Sequence, residues 1–284
     1  MRRLLALVLV LAACRGAPRP APVDAEPNVE AAPPAATVVA DAGPAPLDAP
    51  WIEKVELPDG GLAFVTPPVG ARGRRPIVVA VHGAVDDPGL MCSAWRLITD
   101  AHPFVVCPAG TPLGAPGEGR KYVWGSGAQI AKRVHEALDA VRARYPDHVA
   151  IDAPIVYAAF SQGANMAGPL LGAEAKRFPR AVFTEGGYHV FDDAAAARAY
   201  ARGGGQRVLF TCSQPGCAGA FASSTAALGR AGGTEVMTRV EYSGPHGHSM
   251  PPPVRASIHA ALPWIIEGLR GWEGYAGAPR LEGH

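Results

Sequence analysis

The chain has 284 residues and carries 26 lysines and arginines against 25 aspartates and glutamates, a formal charge of +1. With this balance, and without a basic cluster or an aromatic-interleaved basic patch, it has no footprint of a nucleic-acid binder. No internal repeat is found, and the part beyond residue 50 has the size of one ordinary domain.

Arg2 and Arg3 precede an apolar run over 4–13 that is too short to cross a bilayer as a stable helix. The run closes on Leu11-Ala12-Ala13-Cys14, which resembles the bacterial lipobox. That resemblance implies cleavage before Cys14 and lipidation of it, giving a protein held outside the cytoplasm by an N-terminal lipid anchor. An ordinary signal peptide with an incidental cysteine is the alternative. Residues 15–50 are dominated by proline and alanine and are expected to be a disordered, extended stalk. The domain is expected over 51–284.

Within it, short β-branched runs alternate with alanine-rich segments. Strands are predicted over 52–57, 62–66, 76–81, 104–107, 155–160, 181–184, 207–211 and 235–242, and several are continuous apolar runs, as central strands are. Helices are predicted over 128–145, 163–173, 192–202, 219–231 and 254–269. In the first, Ile130, Val134, Leu138 and Val141 form one apolar stripe. The alternation predicts an α/β fold, a mostly parallel sheet with helices on both faces, its opening strands free to form an antiparallel edge. Beyond Cys14 four cysteines remain, and an even number in an exported domain favours disulfides. The local pairs Cys92–Cys107 and Cys212–Cys217 are preferred over the other connectivities.

In such sheets ligands gather beyond the carboxyl ends of the strands. Three segments are predicted to meet there. The run 155–165 ends in Phe160-Ser-Gln-Gly-Ala164, a strand-to-helix turn with small residues at Ala159 and Gly163 on either side of Ser161. The second segment is His82-Gly83-Ala84, and the third is Ser243-Gly-Pro-His-Gly-His-Ser-Met250.

Together these segments resemble the α/β-hydrolase superfamily over about 51–270, and most of all its carboxylesterase, acyl-thioesterase and dienelactone-hydrolase-like branches. The elbow, the oxyanion segment after the third strand and the Gly247-His248 pair carry the resemblance. It implies that Ser161 attacks an acyl carbonyl and that a histidine takes its proton. The oxyanion would be held by the backbone N–H groups of Ala84 and Gln162, with Gly83 leaving room for the substrate oxygen. His82 is expected to shape the loop. His248 matches the base by its placement after glycine, and His246 is the alternative base. A His-x-His metal pair lacks a third ligand, so neither metal nor organic cofactor is expected.

The acid departs from the family pattern. The loop after 207–211, Cys212-Ser-Gln-Pro-Gly-Cys217, has no carboxylate where most members carry one. Glu185, in Phe183-Thr-Glu-Gly-Gly-Tyr188, follows the preceding strand at the same edge and is the substitute, unless it pairs with a surface base or caps a segment. Asp192 and Asp193 are read as helix N-caps, and Asp86-Asp87-Pro88 as a turn. Trp95, Tyr122 and Trp124 either line a pocket or pack the core. The expectation is an extracytoplasmic serine hydrolase cleaving a small-molecule carboxylic ester or thioester through an acyl-enzyme. The rival is a weakly active or inactive binding lipoprotein on the same fold, supported mainly by the missing acid.

Overall fold

The computed structural model describes residues 44–114, 121–231 and 236–277. Cys14, the signal segment and most of the stalk lie outside them. The first half of the domain runs β1 (Glu53–Glu56), β2 (Leu62–Thr66), β3 (Ile77–Val81), α1 (Pro88–Ile98), β4 (Phe104–Pro108), the short strands β5 (Thr111–Pro112) and β6 (Tyr122–Val123), and α2 (Gly127–Arg144). The second half runs β7 (Val156–Phe160), α3 (Ser161–Asn165), α4 (Gly168–Glu174), β8 (Arg180–Thr184), α5 (Ala194–Arg202), β9 (Arg207–Cys212), α6 (Cys217–Ala220), α7 (Ala222–Gly229), β10 (Met237–Tyr242) and α8 (Pro252–Ile266).

Eight strands form one sheet in the order β1-β2-β4-β3-β7-β8-β9-β10. β2 runs antiparallel to β1 and β4, and every pair from β4 to β10 is parallel. The period-2 alternation of the strands divides the core. Val79, Tyr157, Phe183 and Phe210 face one side and pack with α2, α4, α5 and α7, while Val78, Val156, Val182 and Leu209 face α1 and α8. Burial on both faces is why these strands read as unbroken apolar runs. The disulfide Cys92–Cys107 ties α1 to β4, and Cys212–Cys217 closes the loop after β9.

The structure departs from expectation in several places. The segment 163–173 is two helices, because Pro169 has no N–H to continue the ladder from α3. The segment 219–231 is also divided, into α6 and α7. Asp86-Asp87-Pro88 opens a helix rather than a plain turn: Asp87 caps α1 by accepting from the Gly89 and Leu90 N–H groups, with Pro88 in the first turn. Finally, the packed chain reaches back past the expected boundary at residue 50. Leu47 is buried, and its N–H donates to the Ala71 carbonyl.

Candidate active site

Strand register sets the site. Phe160 pairs with Thr184, and Thr184 with Thr211, so Ser161, Glu185 and the loop after β9 leave the sheet at one level. The chain turns sharply at Ser161, whose φ is +49°. The turn is enforced by close packing. A Cβ on Gly163 would lie 2.6 Å from the His82 carbonyl oxygen, and one on Gly186 would lie 2.5 Å from that of Ser161. Gly186 is therefore a spacer behind the serine. Among the described residues six non-glycines have left-handed φ, and three of them, Val85, Ser161 and Glu185, stand at this edge, where such strain is characteristic of functional sites.

His248 Nε2 lies 2.8 Å from Ser161 Oγ. His246 is not part of this contact; its ring folds back beside Gly244. Glu185 is buried at the other end of the imidazole, with Oε2 3.9 Å from His248 Nδ1. That distance exceeds a hydrogen bond. Gln214 occupies the gap: its Nε2 lies 3.0 Å from Glu185 Oε2 and 3.1 Å from His248 Nδ1. Glu185 Oε1 accepts from the Ser213 N–H and hydroxyl at 2.5 and 2.6 Å, and the same hydroxyl lies 2.5 Å from the Gly247 carbonyl of the histidine loop. The sequence carries no signal for Ser213 or Gln214, because neither is a carboxylate and neither belongs to a local catalytic motif.

The segment after β3 is held by buried groups. Gly110 N–H donates to His82 Nε2 at 3.1 Å, which leaves the ring proton on Nδ1, facing the Gly83 carbonyl at 2.6 Å. Burial pushes the His82 imidazole below its ordinary pKa, opposed by the bond to Gly83. Trp124 stacks on this ring and donates from its indole to the His82 carbonyl, so Trp124 is core, as is Trp95; Tyr122 is half-buried beside His82. Asp86 Oδ2 accepts from the Gly83 N–H at 3.2 Å. A Cβ on Gly83 would lie 2.8 Å from the Phe160 ring and 3.1 Å from the Ser161 Cβ, so the elbow leaves no room for a side chain there. The Ala84 N–H has no acceptor among the described residues. The Gln162 side chain bonds both the N–H and the carbonyl of Trp124, at 2.9 and 3.0 Å, anchoring the elbow to the end of β6.

A groove of about 410 Å³ opens beside His248, its lining mostly apolar (Leu90, Met91, Leu97, Phe160 and Met250) but including Asp86 and Arg255. Leu90 and Leu97 are more than half exposed there. Asp192 does not cap α5; Asp193 does, while Asp192 accepts from Ser223 and Ser224 and lies 2.6 Å from His189 Nδ1. Among the described residues no cluster of three metal-ligating side chains occurs, and no helix is long and apolar enough to cross a membrane.

No protein-family model matches the chain, and no curated protein matches it in sequence. Solved structures do resemble it. An S-formylglutathione hydrolase from Agrobacterium tumefaciens superposes with a TM-score of 0.52 at 16% identity, over 78% of this chain and 98% of that one. A ferulic acid esterase gives 0.52 at 14% identity, over 75% and 96%. The poly(aspartic acid) hydrolase-1 of Sphingomonas sp. KT-1 gives 0.51 at 16% identity, over 76% and 100%. Strand order, the antiparallel second strand and these likenesses agree that the chain has the α/β-hydrolase fold.

Proposed function

We propose that this chain is a serine hydrolase that cleaves a carboxylic ester or thioester through an acyl-enzyme. The observation that carries the reading is the 2.8 Å contact between His248 Nε2 and Ser161 Oγ at a strained strand-to-helix turn. In the proposed cycle Ser161 Oγ attacks the acyl carbonyl as its proton passes to Nε2, and the imidazolium returns that proton to the leaving oxygen or sulfur. A water then repeats the sequence and frees the acid. The Ala84 and Gln162 N–H groups hold the oxyanion, and Glu185 supports the imidazolium. Names carried by proteins of the same fold, an S-formylglutathione hydrolase and a ferulic acid esterase, support thioester or ester chemistry.

The groove beside His248 suits an apolar acyl group. From Leu90 to Leu97 it follows α1 for about 10 Å, the length of a chain of about eight carbons. Two disulfides fit an oxidising compartment, and the proposal includes export with a lipid anchor at Cys14. The test is turnover of p-nitrophenyl esters from acetate to laurate. Wild type should hydrolyse them, with kcat/KM rising toward the medium chains, and Ser161→Ala should not. If wild type turns over none of them, the fold serves binding and the proposal fails.

A further inference from the structure

Resting on the proposed hydrolase reading, the geometry points to Gln214 as a positioning residue that holds His248 in its non-basic tautomer. One atom of the Gln214 amide meets both Glu185 Oε2 and His248 Nδ1, at 3.0 and 3.1 Å. That atom is the nitrogen, because a carbonyl oxygen there would face the carboxylate with no proton between them. The NH2 group donates one hydrogen to Glu185 and the other to His248. Nδ1 is then an acceptor, and the single proton of the neutral ring sits on Nε2, facing Ser161 Oγ. A histidine in that state cannot take the serine proton. In a serine protease, holding the histidine in the wrong tautomer costs about 10⁴ in kcat.

The arrangement is built into the loop. Gln214-Pro-Gly-Cys217 is a type II turn: Gly216 has φ +78° and ψ −8°, and the Cys217 N–H donates to the Gln214 carbonyl at 3.2 Å. The Cys212–Cys217 disulfide spans it, and the Ser213 N–H is bonded to Glu185. The Gln214 backbone is thus fixed, and only its side chain is free to leave. When it does, Glu185 Oε2 can close the 3.9 Å to Nδ1. The proton then moves from Nε2 to Nδ1 by exchange with water, and the ring becomes a base toward Ser161.

The test uses the full chain labelled with ¹⁵N-histidine, its His248 signals assigned by their loss in His248→Gln. In wild type with the ring neutral, Nε2 should carry the proton. In Gln214→Ala, and in the similarly sized non-donor Gln214→Met, the proton should shift to Nδ1. Releasing one hydrogen bond of ordinary strength should raise kcat by about tenfold, with KM little changed. A wild-type ring protonated on Nδ1 overturns the inference whether or not esters are cleaved, and so does a kcat that falls in both variants. The expected tautomer shift with no turnover in any variant supports the inference and sinks the hydrolase reading instead.

Discussion

Glu185→Gln tests the proposed acid. The carboxylate is buried, and Oε2 lies 3.9 Å from His248 Nδ1. Two unit charges at that separation interact by about 4 kcal/mol at an effective dielectric of about 20. Half of the His248 side chain faces solvent, so screening trims the figure, and the imidazolium formed on proton transfer should lose about 10²–10³ in kcat. KM should hold, because Glu185 meets Ser213, Gln214 and His248 rather than substrate. The fold should hold too: glutamine keeps an acceptor for Ser213, whereas Glu185→Ala would strand that buried N–H at a cost of about 1–3 kcal/mol. Steady-state kinetics on a medium-chain p-nitrophenyl ester, with a thermal melt to confirm folding, decides the matter. A Glu185→Gln enzyme within threefold of wild type in kcat would remove Glu185 from the mechanism.

Ser161→Gly should abolish turnover yet raise Tm by about 2–4 °C, since glycine relieves about 1 kcal/mol of left-handed strain at φ +49°; a lower Tm would show that the elbow is not strained. Reducing the two disulfides should destabilise the fold, by about 3 kcal/mol for the longer Cys92–Cys107 loop and about 2 for Cys212–Cys217, read as a drop in the urea midpoint. An unchanged midpoint after complete reduction would contradict this. Burial depresses the pKa of His82 in the folded state, so below pH 6.5 the unfolded chain binds a proton that the folded one does not. Stability should therefore fall as pH drops through 6.5 toward the depressed folded value, with a slope of up to about 1.4 kcal/mol per pH unit from this group. Urea titrations at pH 7 and pH 5 with equal midpoints would refute it.

Much of the fold was legible because central strands buried on both faces must be apolar throughout. The runs at 77–81, 156–160 and 207–212 stand out for that reason. α1 was hidden because Asp86-Asp87-Pro88 satisfies a turn as well as a capped helix start, and because exposed Leu90 and Leu97 blur its apolar stripe. At the site, Ser161 and His248 sit in local motifs that sequence displays. Glu185 could be placed at the correct sheet edge, but its distance from His248 depends on three loops at once. Nothing local in the sequence marks Gln214 as the group between them. The left-handed φ of Val85 and Glu185 was likewise unreadable, since neither is a glycine.

The most direct test of the account is where an alkyl fluorophosphonate attaches to the folded chain. A serine made nucleophilic by His248 should form one covalent phosphonyl adduct, found by peptide mass spectrometry on Ser161. It should be absent from Ser161→Ala and strongly slowed in His248→Ala. No adduct on wild type, or an adduct on another residue that survives Ser161→Ala, would contradict the assignment of Ser161 as the nucleophile.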